Sequence, residues 1–256
     1  MSALLSVRAV SVRRGRERVL DAVSLEIGPG EVVGVLGANG SGKTNLLRGA
    51  LGLIALEAGN TALSGEDVRR LSSAEKARRV GYLPQERRLA WNVPAWRAAS
   101  LGAVDLPPAE AREIALACLA KVGLSSLAER GVFDMSGGER ARVLLARLFA
   151  TRAPLLIADE PAAGLDPDAQ FLTLELLRAH AVAGGAVVVT LHDLGLAARM
   201  CDRLVVLREG RVAASGRPAE ALAPAVLATA FGLEGELIDT PAGLVLAARR
   251  LRESQG

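Results

Sequence analysis

The chain has 256 residues, half of them apolar, 23% charged and 3% aromatic, with a formal net charge of +3. That supplies the core of one large α/β domain, or of a domain with a sizeable subdomain, and leaves disorder only for the polar tail Arg252 to Gly256. Opposite charges are mixed along the chain, so no nucleic-acid partner is expected, and the run Arg13, Arg14, Arg16, Arg18 reads as a solvated hairpin edge.

Cys118 and Cys201 stand among apolar residues with no CxxC or Cys/His cluster beside them, so buried free thiols are expected and a thiolate metal site is not. The N-terminal residues lack a basic start followed by a long apolar run, which argues against a signal peptide. No stretch reaches 18 apolar residues, so membrane association would have to come through a partner. The lysines are Lys43, Lys76 and Lys121 against a large excess of arginine, which makes Lys43, inside a glycine-rich loop, stand out.

Alternation predicts strands near Leu5 to Ala9 and from Val19 to Ile27. Glu31 to Gly37 is a short apolar run ending in glycine, a buried strand entering a turn. A helix is predicted from Lys43 to about Leu51, and a strand over Arg79 to Leu83. From about Val93 to Arg130 the pattern is helical, with Pro107-Pro108 opening a helix that Gly123 closes. Helix from Ser136 to Ala150, strand 155–158, helix 167–181, strand 186–191, helix 194–200 and strand 204–207 follow, then a short helical stretch from Pro218 to Phe231. Strands alternating with helices imply a mainly parallel sheet with helices on both faces.

Gly37-Ala38-Asn39-Gly40-Ser41-Gly42-Lys43-Thr44 fits G-x-x-x-x-G-K-[ST] at every fixed position and falls between a predicted strand and a predicted helix. Glycines let the backbone curl so that several N–H groups point inward as an anion nest, and the following helix adds its positive end. Lys43 would reach the β- and γ-phosphates of a nucleotide, and Thr44 would offer its hydroxyl to Mg²⁺. A second apolar run, Leu155 to Ala158, ends in Asp159 and Glu160. A parallel strand delivers its last side chains to the ligand edge of the sheet. Asp159 would hold Mg²⁺, and Glu160 would orient or deprotonate an attacking water. Strand-terminal carboxylates alone also serve as helix caps; the upstream loop is what turns the pair into chemistry.

Between these two sites lies Met135-Ser136-Gly137-Gly138-Glu139-Arg140, which resembles the signature motif of ATP-binding cassette ATPases. Gln85 resembles that family's Q-loop glutamine, Ala163-Gly164-Leu165-Asp166 its D-loop, and His192 its switch histidine, all in the family's order. The resemblance spans roughly Leu4 to Gly216. It implies an α/β P-loop NTPase with a mixed, mainly parallel sheet, an N-terminal antiparallel β part and an inserted α-helical subdomain. It implies ATP and Mg²⁺ as ligands, with two copies facing head to tail. Each ATP would lie between one copy's phosphate loop and the other copy's Ser136, Gly137 and Gly138, with Asp166 contacting the opposite copy. Gln85 would touch Mg²⁺ or the lytic water, and His192 would bond the γ-phosphate. The family's adenine-stacking aromatic is replaced by Arg14, whose guanidinium plane could stack instead. Asn45 stands where Thr or Ser is common, and Met135 where Leu is.

The stretch Gly81 to Pro94, then Ala99 to Gly102, and the tail Phe231 to Ile238 are similar to ATPases that import iron–siderophore, haem or cobalamin, although Ala103 to Pro107 stands where those usually carry Gly-Arg-x-Pro-His. The resemblance implies a separate transmembrane permease, whose coupling helix would meet the segment Gln85 to Trp96, with a solute-binding protein acting indirectly. It places the chain peripherally on the cytoplasmic face of the membrane. Trp91, Val93 and Trp96 are interface candidates, or cover the helical subdomain's own core. On this reading residues 1–240 form the ATPase domain, with the helical subdomain at about 88–150, and 241–256 form a tail. The competing expectation is a soluble cassette protein of cofactor or Fe–S assembly, or one acting on nucleic acid.

Overall fold

The computed structural model describes residues 3–86 and 89–251; the tail Arg252 to Gly256 falls outside them, as do Arg87 and Arg88. β1 (Leu5–Arg14) and β2 (Glu17–Ile27) pair antiparallel; β3 (Val32–Leu36) leads through the glycine loop into α1 (Lys43–Ala50). β4 (Ala58–Leu63) and the short β5 (Glu66–Asp67) return to the first sheet, whose order is β2-β1-β4-β5. After α2 (Ser73–Arg79), β6 (Val80–Leu83) opens onto three packed helices, α3 (Ala95–Ser100), α4 (Pro108–Lys121) and α5 (Gly137–Ala150). β7 (Leu155–Asp159), α6 (Pro167–Val182), β8 (Ala186–Thr190), α7 (Leu194–Met200), β9 (Arg203–Arg208) and β10 (Arg211–Gly216) complete the main sheet. Its order is β10-β9-β3-β8-β7-β6, with β10 antiparallel to β9 and the rest parallel. This is the P-loop NTPase architecture that the motifs imply.

Strand burial explains the two kinds of sheet. Every residue of β3, β7 and β8 is buried, as helices on one face and the antiparallel sheet on the other require. β1 and β2 instead alternate buried with exposed positions, interrupted by bulges. One apolar cluster fills the space between the sheets around α1; the other runs from the opposite face of the main sheet into α3, α4 and α5. The helical part therefore shares its core with the sheet. Cys118 and Cys201 are buried and unpaired, and burial pushes the Cys201 thiol up to about 12. His180, half-buried on α6, donates from Nε2 to the Pro154 carbonyl at 3.2 Å, a satisfied structural histidine.

The structure departs from the sequence reading in two places. β4, β5, α2 and β10 went unread because they are short and weakly patterned. Within the helical block from Val93 to Arg130, α4 opens at Pro108 as expected, and α3 precedes it across a turn at Leu101–Pro107 in which an added Cβ on Gly102 would sit 2.1 Å from the Arg147 carbonyl. Residues 243–250, set apart as tail, are the strand β12 (Gly243–Arg250), paired with β11 (Leu233–Thr240) in a hairpin packed on α7. The arginine run does form an exposed hairpin edge as expected, with Arg13 (2.9 Å) and Arg18 (3.2 Å) both holding Glu57 and Arg18 also reaching Asp21.

Leu119 on α4 is fully buried in the shared cluster. Leu119→Ala is expected to lower stability by about 2–5 kcal/mol. Urea unfolding should remain a single transition; two separate transitions would show that the helical part unfolds on its own.

Candidate active site

The loop after β3 is held in a shape that only glycine permits at two points. Gly37 has φ 148°, and a Cβ there would lie 2.3 Å from the Leu207 carbonyl; Gly42 has φ 105°, with Leu20 and the Val19 carbonyl against it. Between them the backbone turns so that Ser41 N–H donates to Ala38 O at 3.1 Å. Lys43, at the first turn of α1, is buried and donates to the carbonyls of Gly37 (2.8 Å) and Ala38 (3.3 Å). Burial lowers its pKa, opposed by the nearby charges of Glu160 and Asp159.

This loop forms one wall of an open cleft of about 180 Å³ lined by Asn39, Gly40, Ser41, Gly42, Lys43 and Thr44, and closed on the far side by Asn45, Gln85 and Glu160. The tertiary structure thus brings together the loop, Gln85 two residues past β6 and Glu160 directly after β7. Asp159, the last residue of β7, is fully buried; its Oδ1 accepts from Thr190 Oγ1 at 2.6 Å, and its Oδ2 has no hydrogen-bond partner among the described residues. Glu160 sits in the left-handed region at φ 53°, which costs a non-glycine residue about 1–2 kcal/mol. Its backbone N–H donates to Thr190 Oγ1 at 2.8 Å. Its Oε1 is hydrogen-bonded to His192 Nε2 at 2.5 Å.

Mg²⁺ prefers oxygen donors, completes its shell with water and substrate phosphates, and needs few protein ligands. The residues present fit it: an orphaned buried oxygen on Asp159, a hydroxyl on Thr44 and an amide on Gln85. Among the described residues no cluster of three His, Cys, Asp or Glu offers a competing metal cage.

Other expected residues lie elsewhere. Ser136 caps α5 in a capping box, its hydroxyl accepting from Glu139 N–H (3.2 Å) and its own N–H donating to the Glu139 carboxylate (2.7 Å). Those bonds, the backbone one first, hold the Glu139 carboxyl below its usual range. Ser136 and Gly137 are exposed, and none of Ser136, Gly137 and Gly138 lines the phosphate-loop cleft. Asp166 caps α6 by accepting from Ala169 N–H at 2.9 Å and is exposed as well. Arg14 ends β1 opposite Glu17, exposed and outside the cleft lining.

The ABC transporter family profile matches residues 20–163. The chain belongs to the ABC transporter family. It is 41% identical to the hemin import ATP-binding protein HmuV of Pseudomonas fluorescens, over 90% of this chain and 93% of that one. It is 40% identical to the cobalamin import ATP-binding protein BtuD of Halobacterium salinarum, over 89% of this chain and 58% of that one. Among solved structures, the post-hydrolysis dimer of the ATP-binding cassette MJ0796, bound to ADP and Pi, matches with a TM-score of 0.75. That match has 26% identity and covers 84% of this chain and 98% of that one. As a cassette of this family the chain is an ATPase.

Two cleft residues were missed in the sequence. Asn45 lines the cleft although its place was noted only as a departure. Thr190 carried a usable signal, a hydroxyl at the end of an otherwise aliphatic strand two residues before His192. The interface candidates separate: Trp91 is 75% exposed, whereas Val93 and Trp96 pack against the core. Trp96 also donates Nε1–H to Glu129 (2.9 Å) beneath Arg112.

Lys43→Ala removes the buried cation from the loop. It is expected to weaken ATP binding about 10- to 100-fold, the equivalent of one charge-assisted contact. Titration with a fluorescent ATP analogue checks this, and unchanged affinity would contradict the placement of the phosphates here.

Proposed function

We propose that the chain is the ATP-binding and ATP-hydrolysing subunit of an importer, energising uptake of an iron chelate, haem or cobalamin-like solute through a separate permease. The observation that carries the catalytic part is that the phosphate loop and Glu160 line one cleft, with the buried Asp159 charge near Lys43 and His192 paired to Glu160. The solute class is supported by the identity to hemin and cobalamin import subunits.

In this reading the nest of Gly37 to Thr44 and Lys43 hold the β- and γ-phosphates. Thr44, Gln85 and Asp159 hold Mg²⁺, which when bound neutralises charge on the phosphate oxygens. Glu160 orients and deprotonates the attacking water, and His192 keeps that carboxylate in place and reaches the γ-phosphate. Phosphoryl transfer is mostly positioning and charge stabilisation, so these contacts are the catalysis.

One chain leaves this site open. Ser136-Gly-Gly at the start of α5 is a second anion-binding end, exposed at Ser136 and Gly137 and outside the chain's own cleft lining. A second copy, head to tail, would bring its Ser136, Gly137, Gly138 and Asp166 over the nucleotide. That the MJ0796 cassette is dimeric in its structure with ADP and Pi supports assembly in pairs. Closure of the pair is then the step that both completes the site and moves the permease.

For the permease, the groove of about 200 Å³ between β6 and the helical part offers a seat, with Tyr82, Pro84, Leu144 and Arg147 in its walls. Leu101 and Val104 stand exposed at its rim, and Trp91 is exposed in the segment that follows Gln85. The chain would sit peripherally on the cytoplasmic face of the membrane. No helix among the described residues is long and apolar enough to cross a membrane. A solute-binding protein would act on the permease, outside this chain's reach.

Glu160→Gln is expected to lower ATP turnover by at least about 10²-fold while trapping an ATP-bound dimer on size-exclusion chromatography. Full turnover in that variant would remove Glu160 from the role given to it. A gentle pull-down from native membranes should recover a polytopic permease, whose identity narrows the solute. Recovery of soluble assembly proteins or ribosomes alone would overturn the transport assignment and leave the ATPase chemistry standing.

A further inference from the structure

β8 reads Ala-Val-Val-Val-Thr, and its last residue, Thr190, is fully buried in an aliphatic strand. Valine would fill the same space. A buried hydroxyl is unfavourable unless it is hydrogen-bonded, so the choice of threonine has to be read from its bonds. One hydroxyl has one proton to donate and lone pairs to accept with. Thr190 donates its proton to Asp159 Oδ1 (2.6 Å) and accepts the backbone N–H of Glu160 (2.8 Å). Both of its bonds therefore go to neighbouring residues of the cleft, from the adjacent strand, at the register Asp159↔Thr190.

The two bonds have distinct consequences. The first occupies one oxygen of Asp159 and leaves the other, buried and without a hydrogen-bond partner among the described residues, as the one that would be offered to a cation. The second ties down the peptide N–H of a residue in the left-handed region, φ 53°, where the chain would otherwise relax and swing the Glu160 carboxylate away from His192.

We infer that Thr190 is a positioning residue whose single hydroxyl sets the metal-facing oxygen of Asp159 and the backbone from which Glu160 reaches the water. The inference rests on the roles proposed above for Asp159 and Glu160. Thr190 is fully buried, and it acts through the two carboxylate residues. Residues that orient a metal ligand in this way typically change metal affinity or activity about 10- to 100-fold when altered.

The test compares Thr190→Val, Thr190→Ser and Glu160→Gln with the wild-type protein. Thr190→Val keeps shape and loses the hydroxyl. It is expected to lower kcat about 10- to 100-fold and to weaken Mn²⁺ binding to the ATP complex, read by electron paramagnetic resonance, by about tenfold. ATP affinity measured in EDTA should stay within about twofold, because the phosphate nest is intact. Thr190→Ser restores the hydroxyl and should recover both kcat and Mn²⁺ affinity. A role in packing alone would spare Mn²⁺ binding and would not be rescued by serine. If Thr190→Val fails to fold, Thr190→Ala gives the same comparison against serine. Wild-type kcat and Mn²⁺ affinity in the hydroxyl-less variant, or a serine variant as impaired as valine, overturns the inference. If Glu160→Gln is inactive in the same experiment, only the Thr190 inference has failed; if Glu160→Gln is fully active, the reading of the cleft has failed with it.

Discussion

Three adjacent strands, β3, β8 and β7, are buried along their whole length and end at nearly the same level. Parallel pairing sets Val35 beside Thr190 and Thr190 beside Asp159. The chain leaves each strand one or two residues later, so the phosphate loop, His192 and Glu160 emerge at one edge. Parallel register admits no slip here without moving a row of fully buried side chains to the wrong depth. The chemistry at the cleft thus inherits its precision from the packing of aliphatic residues beneath it. Substituents on that floor are constrained accordingly: Gly34 on β3 leaves no room for a Cβ against Leu204 and Cys201.

At that edge the protein concentrates features that would be unfavourable elsewhere. A buried lysine, a buried carboxylate with one orphaned oxygen and a left-handed glutamate sit within a few residues of one another in space. Each is tolerable because neighbours hold it: carbonyls of the loop for Lys43, Thr190 for Asp159 and for the Glu160 backbone. On the function proposed here, a cation would meet the unpartnered oxygen of Asp159, and nucleotide phosphates would meet the loop.

The helical part and the C-terminal hairpin serve a different purpose. α3, α4 and α5 share an apolar cluster with the main sheet, so a load applied near Leu101 or Trp91 is carried by the same packed body that holds α5 and its Ser136 cap. The β11–β12 hairpin lies on α7, the helix that begins directly after His192 and Asp193. A two-stranded hairpin is marginal alone, and its apolar inner face, Leu233, Leu237, Leu244 and Leu246, is secured by packing against the core.

The phosphate loop, Asp159-Glu160 and the helix-opening Ser136 were legible as residues because their chemistry is local. A glycine pattern dictates a backbone curl, an apolar run dictates a buried strand, and a serine followed by Glu139 dictates a cap. The buried strands of the main sheet and α6 and α7 were legible for the same reason, through burial and period. Short pieces such as β4, β5 and α2, and the β11–β12 pairing, were not, since their stability comes from partners distant in the chain. Only the tertiary structure decided that Gln85 and Glu160 close the cleft while Arg14, Ser136 and Asp166 stand outside it, that Trp96 is core while Trp91 is surface, and that Thr190 holds both acidic residues. Each of these depends on which strand lies beside which, and strand order is settled by the packing of the whole sheet, not by any segment of it.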